Sequence, residues 1–181
     1  MKILLILFII LGCLAGAIVA FVSSGFYNVA ATVPHWRITH WFLEEVRDRS
    51  ISAHSKGITV PSLKDPNLFD IGFKNYHEMC RLCHGAPGSP RTEIARGLNP
   101  EPPDFSAKDA KMRNEAELYW VIRSGIKMTG MPFFGPTHRE DQLWGIVALL
   151  RQLPKMEPEE YNMMVKALGL NDTPTHHDHK K

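Results

Sequence analysis

Residues 80–84 read Cys-Arg-Leu-Cys-His, and we interpret the rest of the chain outward from this pentapeptide. Two cysteines three positions apart, followed at once by a histidine, form the attachment signature of a c-type haem. In such a site the two thiols become thioethers and the histidine binds the iron from one face. The pattern therefore predicts one covalent haem c attached to Cys80 and Cys83, with His84 as an iron ligand.

Two other kinds of site use paired cysteines, and the sequence supports neither. A structural zinc site needs a second pair of ligands at comparable spacing, but the only other cysteine, Cys13, lies in an apolar run near the N-terminus. A thioredoxin-like redox pair needs a βαβ context, and the residues around the motif lack the alternation of a strand. Haem attachment remains the favoured interpretation.

The residues before the motif predict a helix that presents both cysteines on one face. Asp65 is suited to cap its start and Pro66 to occupy its first turn. Apolar residues then recur every three or four positions as far as Cys83, which is the period of one helical face. Gly85 follows the histidine and is suited to end the helix.

A methionine is the best candidate for the second axial position of the iron. Met131 lies in a loop punctuated by Gly130 and Pro132, after a helical stretch over residues 115–124. A thioether ligand suits haem iron and raises its reduction potential relative to a second histidine. Met128 is the nearest rival, and ordinary core packing is the alternative role for either methionine.

Because they contain the Cys-x-x-Cys-His motif and the Gly-Met-Pro loop, residues 66–153 resemble the class I c-type cytochromes, which are all-helical electron carriers with a single haem. Gly72 and Tyr76 match the Gly-x-x-x-aromatic pattern with which the family's N-terminal helix crosses its C-terminal helix, and residues 144–150 look like that second helix. The resemblance implies an all-α fold, a class I cytochrome c-like helical domain around one covalent haem, and the apolar run near the N-terminus, described below, predicts a transmembrane helix before it. It also implies that Met131 is the distal ligand.

The chain departs from the family pattern at two points. Leu149 stands where the family usually has an aromatic residue, so we expect a different packing of the two helices. The family's proline, whose carbonyl orients the proximal histidine, could be Pro87, Pro90 or Pro100.

The last helix of this domain has its own sequence signals. Thr137 and Glu140 form a Ser/Thr-x-x-Glu capping box, and an apolar stripe follows at helical spacing. Pro154 then ends the helix.

The N-terminus begins with a run of apolar or small residues over positions 3–22, which is about the length that spans a bilayer. A cleaved signal peptide is the alternative, although its apolar region is usually only about 7–15 residues. Lys2 is the only charge before the run, which weakly places the N-terminus in the cytoplasm. We therefore expect a bacterial inner-membrane protein whose haem domain faces the periplasm.

A second amphipathic helix is predicted just beyond the span, where Ile38, Trp41, Phe42 and Val46 share one face. Its tryptophans suit the membrane interface, and packing on the soluble domain or on a partner subunit is an equal alternative. The periodicity is lost over residues 50–64, which predicts a linker. The tail at residues 173–181 reads TPTHHDHKK and predicts disorder.

These signals divide the chain into four parts. The predicted bounds are 1–24 for the anchor or signal peptide, 25–64 for the juxtamembrane helix and linker, 65–155 for the cytochrome domain, and 156–181 for a C-terminal helix and tail.

The composition of the chain limits the classes of function that it can have. The 181 residues carry 21 basic and 19 acidic side chains, a formal net charge of +2, which excludes a strongly basic nucleic-acid binder. With both axial positions closed, an iron site passes electrons through the ring edge, so we expect a carrier and not an enzyme. Expected partners are membrane lipid and redox proteins: a membrane dehydrogenase, a quinol-oxidising complex, an oxidase or a reductase.

Two alternatives remain open from the sequence. One is a fixed cytochrome c subunit of a larger membrane oxidoreductase complex, for which the aromatic helix beyond the span would be the interface. The other is a haem enzyme or gas sensor, which would need an open sixth coordination position.

Overall fold

A computed structural model describes residues 1–170, and within them the chain is helical with no strand. The predicted all-α fold is confirmed. The predicted His-rich tail lies outside the described residues. The α-helices are α1 (Lys2–Ser23), α2 (Arg37–Ser55), α3 (Pro66–Asn75), α4 (Arg81–His84), α5 (Glu93–Arg96), α6 (Glu115–Ser124), α7 (Glu140–Leu150) and α8 (Pro158–Ala167). A π-helical turn, Tyr76–Cys80, joins α3 to α4, and a 3₁₀ turn, Leu153–Lys155, follows α7.

The chain divides into two compact units, and the first, Met1–His35, consists mainly of α1. The 22 residues of α1 give a length of about 33 Å, close to the ~30 Å of a bilayer's hydrocarbon core. Its side chains are exposed along the whole helix, and it is the one helix within residues 1–170 that is long and apolar enough to cross a membrane. By length and composition α1 fits the predicted span.

The second unit begins at Trp36, and the crossing of α3 and α7 lies at its centre. The two helices touch through glycines: a Cβ atom added to Gly72 would lie 1.9 Å from the carbonyl oxygen of Gly145. A Cβ on Gly145 would lie 2.6 Å from the carbonyl oxygen of Leu68. No side chain fits at either position, which explains why Gly72 begins the Gly-x-x-x-aromatic pattern.

Around this crossing the core is built from aromatic and aliphatic side chains. Tyr119 of α6 stacks on Trp144 of α7 with ring centroids 4.1 Å apart. Phe73 of α3 meets Tyr161 of α8 at 4.7 Å, so α8 packs on the same core. Leu149 is fully buried in this cluster, and it takes the place of the aromatic residue that the family usually has there.

Several helix ends are those that the sequence predicts. The side chain of Asp65 accepts a hydrogen bond from the backbone N–H of Asn67 at 2.9 Å, and Pro66 is the first residue of α3. Gly85 ends α4 with a φ of 71°, a conformation that favours glycine. α6 covers residues 115–124, the helical stretch expected before the methionine loop.

The predicted cap of α7 is wrong. The hydroxyl of Thr137 donates to the carbonyl oxygen of Phe134 at 3.2 Å, within the preceding turn, and does not cap the helix. α7 begins after Arg139, whose backbone N–H donates to the side-chain oxygen of Gln142 at 2.9 Å. The side chain that accepts this hydrogen bond at the start of α7 is therefore that of Gln142, two residues after the predicted Glu140.

The predicted linker is also wrong at its start, because α2 continues to Ser55. Its second half packs against α6: Ile51 is 2% exposed, and His54 lies against Trp120 with ring centroids 5.5 Å apart. Few apolar residues follow Val46 in α2, so the one buried isoleucine produces little hydrophobic periodicity in the sequence. The first half of α2 keeps its apolar side chains exposed, Trp41 by 60% and Phe42 by 57%.

Candidate cofactor site

The Cys-x-x-Cys-His segment lies on a π-helical turn followed by the single turn of α4. The sequence predicts one continuous α-helix here, and the structure widens it by a π turn over Tyr76–Cys80, a feature common at functional sites. The hydroxyl of Tyr76 donates to the carbonyl oxygen of Gly85 at 2.7 Å. The backbone N–H of Phe105 donates to the carbonyl oxygen of His84 at 3.2 Å. These two bonds hold the end of the motif in place.

A cavity of about 350 Å³ opens beside the motif, within the usual range for ligand and cofactor sites. Its walls come from the motif, the proline-rich loop at residues 100–105, α6 and the methionine loop at residues 126–134. Apolar side chains dominate the lining. The four predicted site residues, Cys80, Cys83, His84 and Met131, all line this one cavity.

The two cysteines are unpaired thiols on the cavity wall. Burial, and to a smaller extent the charge of Cys83, raises the pKa of Cys80 to about 12. The Cys80 thiol is therefore protonated at neutral pH, and the environment does not favour a metal-binding thiolate or a redox nucleophile. Within residues 1–170 no group of three or more His, Cys, Asp or Glu side chains could hold a metal ion. The protonated state of Cys80 agrees with a thiol placed for thioether formation.

His84 has one ring nitrogen committed to the backbone. Its Nδ1 lies 2.9 Å from the carbonyl oxygen of Pro103, and because a carbonyl only accepts, Nδ1 carries the hydrogen. Nε2 then keeps its lone pair, the form in which imidazole binds iron. Desolvation by burial lowers the pKa of His84, against a smaller opposite effect of the Pro103 bond, and so favours the neutral ring. The ring also stacks on Phe105 with centroids 4.6 Å apart.

The proline that orients His84 is none of the three that the sequence suggested. Pro87, Pro90 and Pro100 were the candidates, and Pro103 makes the hydrogen bond. Pro103 belongs to the run Pro-Glu-Pro-Pro at residues 100–103, but sequence spacing alone does not predict which proline carbonyl faces the histidine. The loop is held by the guanidinium of Arg91, which donates to the carbonyl oxygen of Pro102 and pairs with Glu101 at 2.7 Å.

The structure separates the two candidate methionines. Met131 lines the cavity, whereas Met128 is 86% exposed and has a φ of 61°. The backbone of Met131 is fixed at both ends: its N–H donates to the Thr129 hydroxyl at 3.1 Å and its carbonyl oxygen accepts from the N–H of Ile126 at 3.2 Å. A Cβ on Gly130 would lie 2.6 Å from the tip of the Leu98 side chain, so a larger residue here would require that side chain to move.

Two further lining residues were not expected from the sequence. Met79, next to the first cysteine, is a second thioether on the cavity wall. Arg47 comes from α2, far outside the motif region. No local pattern marks either of them, because their positions depend on the π turn and on the packing of α2 against α6.

Taken together, the lining fits a flat apolar ring that is attached at one edge. It offers two thiols, a neutral imidazole with a free nitrogen, and a thioether. Residues 67–150 match the family described as cytochrome c oxidase, cbb3-type, subunit III. No curated protein matches the chain.

Proposed function

Because residues 67–150 form a class I c-type cytochrome domain, we propose that this protein is a membrane-anchored electron carrier with one covalent haem. It would pass single electrons between exported or membrane-bound redox partners. The haem supplies an iron that alternates between two oxidation states. The chain's own residues bind the haem, tune it and limit access to it.

The observation that carries the proposal is the meeting of four side chains in one cavity. We assign Cys80 and Cys83 to the thioether bonds, His84 to the proximal position and Met131 to the distal one. The hydrogen bond from Nδ1 of His84 to Pro103 supports the proximal role, because it fixes the tautomer and the ring plane. The exposure of Met128 leaves Met131 as the better-placed thioether of the two.

Ligation by both side chains determines the type of reaction. If His84 and Met131 both bound the iron, no position would remain for a substrate or a gas. Only electron transfer through an exposed edge of the ring is left, so the protein would be a carrier and not a catalyst.

Docking of a redox partner would use the surface beside the methionine loop. Phe133 is 63% exposed, while its neighbours Pro132 and Phe134 line the cavity. An exposed aromatic residue this near the cofactor suits the small, partly apolar contacts of transient redox encounters. Residues 66–153 carry 11 basic and 10 acidic side chains, so long-range electrostatic steering is weak.

We further propose that α1 is an uncleaved anchor in a bacterial inner membrane and that the haem domain faces the periplasm. The length and exposure of α1 support the anchor. Lys2, the one charge before the span, supports the orientation.

A second candidate function is a fixed subunit of a membrane oxidase. The matched family is described as a subunit of a cbb3-type oxidase, and the first half of α2 exposes Trp41 and Phe42. Exposed aromatic residues on one helix are typical of a subunit interface. Purification of the full chain in mild detergent separates the two cases, since a stoichiometric partner indicates a subunit.

The test of the proposed function is a redox titration of the full chain in mild detergent, combined with carbon monoxide binding. We expect a reversible one-electron transition and no carbon monoxide adduct on the native ferrous protein. Rapid formation of an adduct would show an open coordination position and would support a haem enzyme or a gas sensor instead.

A further inference from the structure

The cavity lining includes positive charges that the four assigned ligands do not use. We propose that Arg47 of α2, together with Arg113, binds the haem carboxylates, so that the helix beyond the membrane span forms part of the haem site. α2 lies outside the matched residues 67–150. The inference rests on the proposed function, because it requires that haem fill the cavity.

Charge is distributed unevenly around the cavity. Three cationic side chains line it, Arg47, Lys111 and Arg113, whereas the single lining carboxylate, Glu101, is paired with Arg91 at 2.7 Å. A haem carries two propionate groups that are ionised at neutral pH. Carboxylates in a largely apolar cavity need cationic or hydrogen-bonding partners, and guanidinium groups match them in geometry.

Asp48 holds the two guanidinium groups next to each other. Its Oδ1 accepts from Nε of Arg47 at 2.7 Å and from a terminal nitrogen of Arg113 at 2.5 Å. The bond to Arg47 is the main cause that lowers the pKa of Asp48, so this carboxyl is ionised at neutral pH. The bond to Asp48 in turn raises the pKa of Arg47, against the opposing effect of burial.

The other acidic neighbours make longer contacts. Glu44 lies 3.6 Å from Arg47, and Glu117 lies 3.9 Å from Arg113. Neither these two carboxylates nor Asp48 lines the cavity, although both arginines do. The acidic groups thus hold the guanidinium groups from outside the cavity. Among the described residues no hydrogen bond or ion pair involves Nη1 of Arg47, so it remains a donor for a carboxylate inside.

A purely structural role is the competing explanation. In that case the Arg47–Asp48–Arg113 group only joins α2 to the residues that precede α6, and its loss lowers stability without affecting the iron. The two explanations differ in electrostatics. A cation near the haem disfavours the ferric state, which carries one more positive charge, and it lowers the pKa of a propionate.

The test is the reduction potential of the full chain as a function of pH, in mild detergent, for Arg47→Gln against Arg49→Gln. Arg49 is the matched control, because it lies on the same helix, pairs with Glu45 at 2.5 Å and has a side chain that is 80% exposed. Haem content is measured first, by the pyridine haemochrome spectrum. A wild-type chain without haem would contradict the proposed function as well, whereas a haem-loaded chain isolates the present inference.

We expect Arg47→Gln to lower the potential and to move the inflection of its pH dependence to higher pH. Arg49→Gln should leave both as in the wild type. Asp48→Asn, which removes a negative charge beside the same arginines, should shift the potential upward. Arg47→Lys should keep the potential near the wild-type value.

Superimposable pH titrations for Arg47→Gln and Arg49→Gln would overturn the inference, even if Arg47→Gln melts at a lower temperature. If Arg47→Gln does not accumulate, the outcome for Asp48→Asn decides: an upward shift supports the inference, and an unchanged potential contradicts it.

Discussion

The chemistry of the cavity depends on a few single residues and on their protonation states. Cys80 is held neutral by burial, and the bond from His84 to Pro103 selects the tautomer that leaves Nε2 free. Met131 offers a thioether from a loop that is pinned on both sides. These states are compatible with the proposed haem attachment and iron ligation.

The distal assignment can be tested by one substitution. Met131→Ala removes the thioether from the cavity, so we expect the ferric spectrum to lose its sulfur-to-iron charge-transfer band and the reduction potential to fall. The ferrous variant should also bind carbon monoxide, because a coordination position opens. Absorption spectroscopy and redox titration measure all three changes.

Met128→Ala is the matched control, since Met128 is 86% exposed only three residues away. Its spectrum and potential should equal those of the wild type. If the two variants behave in the opposite way, Met128 is the ligand and the methionine loop must rearrange when haem binds.

At this scale the sequence predicted the four residues that the cavity brings together, because a short motif and a Gly-Met-Pro loop are local patterns. It did not identify Pro103 or Arg47. The partner of His84 depends on how the proline-rich loop folds over the ring, and Arg47 reaches the cavity only because α2 packs on α6. Both are tertiary effects that no local spacing reveals.

Among the elements, the crossing of α3 and α7 depends most strictly on residue size. Gly72→Ala places a methyl group 1.9 Å from the Gly145 carbonyl oxygen, and backbone cannot move aside as a side chain can. We expect destabilisation of at least about 1–3 kcal/mol, the usual cost of overpacking, seen in thermal or denaturant unfolding of the haem-loaded protein.

Gly97→Ala provides the comparison, because the nearest atoms to its Cβ lie at 3.5 Å and its φ of −85° suits any residue. It should change the free energy of unfolding by no more than about 0.5 kcal/mol. Equal stability of the two variants would mean that the helices do not cross at these glycines.

Hydrophobic periodicity predicts some of the helices correctly and others only in part. α3, α6 and α7 have strong apolar stripes, and the sequence predicted all three, although it placed the α7 cap two residues too early. The sequence predicts that α2 ends earlier than it does. The second half of α2 is attached to the rest of the domain by Ile51, by a ring contact of His54 and by the Asp48–Arg113 ion pair. Ion pairs leave no hydropathy pattern.

For the whole molecule, the apolar N-terminal helix and the cytochrome domain have separate physical requirements. α1 is apolar and exposed along its length, which is compatible with a membrane anchor, while the domain from α3 to α8 buries its own core. The cavity of about 350 Å³ lies among the helices of this small domain, and its lining is largely apolar. The proposed covalent haem would fill this cavity and bury its apolar lining.

The covalent haem is therefore the central claim, and the pyridine haemochrome spectrum of the denatured protein tests it most directly. We expect the c-type spectrum from the wild type and haem that stays with the polypeptide through acid–acetone extraction. Cys80→Ser with Cys83→Ser should release the haem or prevent its attachment, while Cys13→Ser, at the remaining cysteine, should change nothing. A wild-type chain without haem, or haem extracted equally from the wild type and the double variant, would contradict the account.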